Sequence, residues 1–78
     1  MKKSESVCTI REIGFNIRKL RQSKNIPIKS LATELDITPQ QLSNIENGNI
    51  RDIGIKRIFD IADFLEANFK EIIKNSDK

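Results

Sequence analysis

The chain has 78 residues, 37% of them hydrophobic and 32% charged, with a net charge of +3. That suffices for one domain with a small core, near the lower end of what folds without a metal, a disulfide or a partner. With Cys8 as its only cysteine and no histidine, the chain has no internal disulfide and almost no ligands for zinc, so neither a metal nor a cofactor is expected.

An enzyme is not expected either. There is no histidine, tyrosine or tryptophan, no carboxylate pair falls in a recognisable cleft, and Cys8 reads as an incidental thiol. The basic start Met1-Lys2-Lys3 is not followed by an apolar run of signal-peptide length, and no run is long enough to span a bilayer. The expectation is a cytoplasmic protein with no membrane partner and no small-molecule substrate.

The charge is unevenly spread. Residues 1–24 carry seven Lys or Arg against two acids, residues 25–50 one against three, and residues 51–78 six against six. A basic segment beside a nearly neutral one is compatible with nucleic acid, where phosphate neutralisation supplies affinity and uncharged groups supply discrimination.

In chain order, residues 1–9 have no periodicity and read as a loose arm. The first helix is predicted over 10–24, with Ile10, Ile13, Ile17 and Leu20 on one stripe and Arg21 on its flank, able to reach inward. Phe15 projects almost opposite that stripe, and two readings stay open for it: packing against a chain terminus, or a partner surface. Asn25-Ile26-Pro27 breaks the helix. A second helix is predicted over 28–35, with Ile28, Leu31, Ala32 and Leu35 on one face, and Ala32 small enough to let a crossing helix approach. Asp36 suits a tight left-handed turn, and Ile37 plugs it.

The third helix, predicted over 39–47, carries strong boundary signals. Thr38 is its N-cap, Pro39 occupies the first position, Gln41 completes a capping box, and Gly48 suits the left-handed position past its end. Leu42 and Ile45 point to one side with Glu46 beside them. Gln40, Ser43, Asn44 and Asn47 point to the other, so the outward face bears amides and a hydroxyl but no charge. Amides four residues apart suit the edges of base pairs, where Gln or Asn contacts adenine through two hydrogen bonds.

After a loop in which Ile50 and Ile53 are expected half-buried, a fourth helix is predicted over 55–66. Its wide apolar face comprises Ile55, Ile58, Phe59, Ile61, Ala62 and Leu65. Asn68-Phe69-Lys70-Glu71 reads as a capping box for a last helix over 69–75, leaving 76–78 as a tail.

Two short helices joined by a tight turn form a helix-turn-helix, whose second helix enters the major groove. The run Ile13-Gly14-Phe15-Asn16-Ile17-Arg18-Lys19-Leu20-Arg21, then Leu31-Ala32, Leu35-Asp36-Ile37-Thr38 and Leu42-Ser43-Asn44-Ile45-Glu46-Asn47-Gly48, resembles the phage repressor/Cro-type (XRE-like) helix-turn-helix family. Ile58, Ile61-Ala62 and Leu65 match that family's fourth helix, and Asn68-Phe69 the start of its fifth. The resemblance covers about residues 10–73. It implies an all-α, five-helix, lambda-repressor-like DNA-binding domain over 10–75, acting as a sequence-specific transcriptional regulator of the repressor or controller type.

The resemblance also assigns residues. It implies an ion pair between Arg21 and Glu46, the two charged residues that the helical periodicity places on the flanks of apolar stripes. It makes Gln40 and Asn44 the main base readers, with Pro39, Gln41 and Ser43 near the groove. Thr38, Asn47 and Asn49 would reach phosphates, with added charge from Lys29 and from Arg51, Lys56 or Arg57. The chain departs from the family pattern at three places: Ile28 stands where many members have a phosphate-contacting Gln, Pro27 replaces a small polar residue, and the 49–54 loop is slightly longer and lacks the usual Pro.

Phe64, Phe69, Ile72 and Ile73 give more apolar surface than so small a core needs. Each of Phe69 and Ile72 reads individually as core, but the group suggests a two-fold homodimer, placing two recognition helices about 34 Å apart on a palindromic operator in double-stranded DNA. The alternative function is an antitoxin or other interaction module of the same fold. It would neutralise a partner protein such as a toxin through Phe15 or the acidic residues Asp60, Asp63, Glu66 and Glu71.

Overall fold

A computed structural model describes residues 9–73. Five helices follow in order: α1 (Ile10–Ser23), α2 (Ile28–Leu35), α3 (Pro39–Glu46), α4 (Ile55–Leu65) and α5 (Phe69–Ile73). The predicted arm up to residue 8, with Cys8, and the predicted helix end and tail beyond residue 73 lie outside the described residues.

Thr9 does not belong to the arm. It is the N-cap of α1: its hydroxyl accepts the Glu12 N–H, and the Glu12 carboxylate accepts the Thr9 N–H in return. The Thr-x-x-Glu spacing is the sequence signal for this box.

Four helices end in the same way. Past α1, α2, α3 and α4, a residue turns into the left-handed region, namely Asn25 (φ 58°), Asp36 (φ 62°), Gly48 (φ 75°) and Glu66 (φ 55°). The following N–H then reaches back five residues, from Ile26 to Arg21, Ile37 to Ala32, Asn49 to Asn44 and Ala67 to Ala62. This is the Schellman arrangement, which satisfies carbonyls that a helix end would otherwise orphan. It explains why α1, α3 and α4 end one residue earlier than their apolar periodicity suggests.

The core lies where the helices meet. Ile17, Leu31, Leu42, Ile61, Leu65 and Ile72 are fully buried, one or two from each helix, and each such burial contributes about 1.5–3 kcal/mol. α1 packs on α3 and α5, while α2 packs on α3 and α4. The contact between α1 and α3 depends on Gly14: a Cβ there would fall 2.6 Å from the Glu46 carbonyl oxygen and closer still to that of Ile45.

Three expectations for the C-terminal third need correction. Ile55 and Phe59 are exposed (64% and 52%) rather than part of the core face. They sit at one margin of the α4 apolar arc, beyond the cover of neighbouring helices, and Phe59 stacks on Phe69 with ring centroids 4.4 Å apart. Ile72 is fully buried, so it belongs to the core and is not available to a second copy of the chain. At the start of α5, the Asn68 side chain accepts from the Lys70 N–H at 2.9 Å. That is a local turn over two residues, and no reciprocal bond from Glu71 accompanies it among the described residues.

One core feature has no counterpart in the sequence reading. Asn16 is 3% exposed, and its side-chain amide donates to the Ile72 carbonyl at 2.7 Å. It ties the middle of α1 to α5.

Candidate nucleic-acid interface

α2 and α3, joined by the left-handed turn at Asp36, form the helix-turn-helix. Thr38 starts α3 as predicted from the sequence. Its hydroxyl accepts the Gln41 N–H at 3.0 Å, and the Gln41 side-chain carbonyl accepts the Thr38 N–H at 2.9 Å. Thr38 keeps its hydroxyl proton and Gln41 its amide protons for an outside acceptor.

The exposed stripe of α3 is pre-arranged. The Gln40 amide donates to the Asn44 side-chain carbonyl at 3.2 Å, and the Asn47 amide approaches the Ser43 hydroxyl at 3.5 Å. Gln40, Gln41 and Asn47 are exposed, while Ser43 and Asn44 are half-buried. Because the Asn44 carbonyl accepts from Gln40, the pair keeps the Gln40 carbonyl as an acceptor and the Asn44 amide as a donor for an outside partner. That is the complement of the N6 and N7 edge of adenine.

Behind this stripe stands an ion pair. Arg21 Nε donates to Glu46 Oε2 at 2.7 Å and Nη2 to Oε1 at 3.1 Å, with side-chain exposures of 11% and 4%. Arg21 Nη1 also donates to the Ile26 carbonyl at 2.9 Å. One guanidinium thus joins α1, the end of α3 and the turn that leads into α2. The planar fork of Arg suits this task where the point charge of Lys would not.

The remaining basic and polar residues surround α3. Lys29 is exposed in the first turn of α2, whose N-cap Pro27 provides no side-chain acceptor for the first N–H groups. Asn49 and Arg51 are exposed just past the end of α3. Lys56 is exposed too, but it pairs with Asp60 at 3.2 Å and lines a cleft with Leu35 and Gly54 rather than one with Asn44. Arg11, which the sequence reading did not single out, lays its side-chain stem over Gly48, where an added Cβ would stand 2.6 Å from its Cγ. Phe15 is 47% exposed, with the Lys19 ammonium 5.4 Å from its ring centroid. Of the residues proposed for a dimer contact, Phe64, Phe69 and Ile73 are half-buried.

Among the described residues no group of His, Cys, Asp or Glu is placed to hold a metal ion. No helix among them is long and apolar enough to cross a membrane.

An all-α five-helix domain with a helix-turn-helix, whose second helix bears no charge on its exposed face, has the repressor/Cro-type fold. The Helix-turn-helix family matches residues 17–72, and the chain belongs to that family. No curated protein sequence matches it.

Solved structures carry the same fold. The clp gene regulator ClgR from C. glutamicum superposes with a TM-score of 0.73 at 23% identity, covering 81% of this chain and 82% of that one. The restriction-modification controller protein C.AhdI from Aeromonas hydrophila gives a TM-score of 0.72 at 22% identity, covering 81% and 94%. HppE, in its FeII form with substrate, gives 0.77 at 18% identity, but the match covers 83% of this chain and only 37% of HppE. That likeness is one of fold within a longer protein.

Proposed function

We propose that this chain is a sequence-specific transcriptional regulator that inserts α3 into the major groove. Gln40 and Asn44 read base edges, with Gln41 and Ser43 beside them. Lys29, Thr38, Asn47, Asn49, Arg51 and Lys56 hold the sugar–phosphate backbone from around the helix. The observation that carries this reading is the bonded Gln40–Asn44 pair, displayed outward and braced from behind by Arg21 and Glu46. ClgR and C.AhdI, which share the fold, are described as a gene regulator and a controller protein. A regulator of this kind works in the cytoplasm, where its DNA lies.

We infer further that it acts as a two-fold dimer. The exposed Ile55 and Phe59, with Phe69 stacked on Phe59, offer an apolar surface from which Ile72 is excluded by burial. Half-buried Phe64 lines a cleft with Glu34, Leu35 and Asp63 on another side of α4, so it does not belong to this surface. Two copies joined there would present two α3 helices to a palindromic site.

Selection of bound duplexes from random DNA tests both parts. A recovered motif with two inverted half-sites about one helical turn apart is the expected result. Recovery of no motif sinks the regulator reading. A single half-site, together with a monomer by light scattering at high micromolar concentration, sinks the dimer alone.

A further inference from the structure

α5 is five residues long, too short to keep a helical conformation without neighbours. Its first residue, Phe69, stacks on Phe59 with the ring planes 19° apart. Its penultimate residue, Ile72, is fully buried. The Ile72 carbonyl is one of the last four of the helix, so it has no partner within it. The Asn16 amide supplies a partner, donating at 2.7 Å from a side chain that is itself 3% exposed. One end of α5 thus completes the apolar surface proposed for the dimer, and the other end is held by α1.

α1 meets these two neighbours on nearly opposite sides. Gly14 abuts the Ile45 and Glu46 carbonyls, and Arg21 pairs with Glu46, so both serve α3. At about 100° per residue, Gly14 and Arg21 lie within about 20° of each other around the helix, and Asn16 lies about 200° from Gly14. A change at Asn16 therefore leaves both α3 contacts in place.

We propose that Asn16 is a positioning residue for self-association: its bond to the Ile72 carbonyl docks α5 so that Phe69 backs Phe59. Without that bond the dimer surface comes apart while α3 keeps its place. The proposal rests on the dimer reading above and names the internal bond on which that surface depends. So short an element opens locally at little cost. A copy whose α5 has come away presents Ile55 and Phe59 without Phe69, and the apparent dimer Kd rises as the docked fraction falls.

The test compares the wild type with Asn16→Leu, which keeps the volume and removes the donor, and with Asn16→Asp, which sets a carboxylate against the Ile72 carbonyl. Phe59→Ser, at an exposed position, removes the dimer surface itself. Self-association is measured by sedimentation equilibrium, and DNA affinity on two selected duplexes, one with a single half-site and one with both. Asn16→Leu should raise the dimer Kd roughly tenfold, and Asn16→Asp should raise it further. Both should bind the single half-site as the wild type does and lose affinity only for the paired one, as Phe59→Ser should. A role in overall stability alone would weaken both duplexes together.

An unchanged dimer Kd for Asn16→Leu, or equal losses on the two duplexes, overturns the proposal. Should both Asn16 variants fail to fold, hydrogen exchange in the wild type decides. If docking favours the dimer, the dimer favours docking by the same factor. Exchange of the Asn16 side-chain amide and of the α5 backbone N–H groups should then slow together as concentration passes through the dimer Kd, and exchange independent of concentration overturns the proposal. A wild type that stays monomeric at high micromolar concentration, or a Phe59→Ser protein that still dimerises, defeats the dimer reading and this role with it. A dimer indifferent to Asn16 defeats the role alone.

Discussion

Arg21 on α1 and Glu46 at the end of α3 form a two-point ion pair almost withdrawn from solvent, 25 residues apart in the chain. Removing one partner strands the other charge in a site that water cannot fully reach. Glu46→Ala should therefore cost about 3–5 kcal/mol, read as a drop in Tm and in the urea midpoint. Replacing both partners with apolar residues of similar size should cost much less than that single change. An unchanged Tm for Glu46→Ala would show that the pair contributes nothing to the placement of α3.

Gly14 lies on the same α1–α3 contact, about two turns before Arg21. A methyl group at this position meets the Ile45 and Glu46 carbonyls, both backbone atoms that cannot swing aside. Gly14→Ala normally favours a helix by about 0.5–1 kcal/mol. Here overpacking should outweigh that gain, for a net loss of about 1–3 kcal/mol. Chemical denaturation gives the sign directly, and a stabilised Gly14→Ala protein would mean that the two helices separate at little cost.

Much of this was legible in the sequence, because its signals are local. Thr38, Pro39, Gln41 and Gly48 fix α3 through bonds made within a few residues, and Asp36 marks the turn for the same reason. Helical periodicity set Arg21 and Glu46 on facing flanks, although their pairing came from the family resemblance. What stayed hidden depends on distant partners. Ile55 and Phe59 fit the apolar period of α4, but period alone does not tell which part of a wide arc a neighbour covers. Asn16 and Ile72 meet across 56 residues.

Glu66 ends α4 at a left-handed φ of 55°, a position that Gly and Asn hold at the ends of α3 and α1. A side chain with a Cβ pays a steric penalty of about 1–2 kcal/mol there, partly offset for Gly by its greater freedom when unfolded. Glu66→Gly should raise stability by a few tenths to about 1 kcal/mol, and Glu66→Asn by less. Glu66 is exposed and its side chain makes no hydrogen bond or ion pair among the described residues, so little is lost to set against the gain. A lower Tm for Glu66→Gly would place the strain elsewhere in the α4–α5 turn.

The Gln40–Asn44 pair separates reading from holding. Asn44→Ala removes the Asn44 amide donor and frees the Gln40 amide, so affinity for the selected duplex should fall by about 1–3 kcal/mol. Affinity for unrelated DNA should stay nearly constant, because no charge has been removed. Lys29→Gln should do the reverse, weakening both duplexes alike and lowering the salt slope by about one. The ratio of selected to unrelated affinity, measured at fixed salt for each variant, distinguishes the two effects. If Asn44→Ala and Lys29→Gln change that ratio equally, the amide pair does not read sequence.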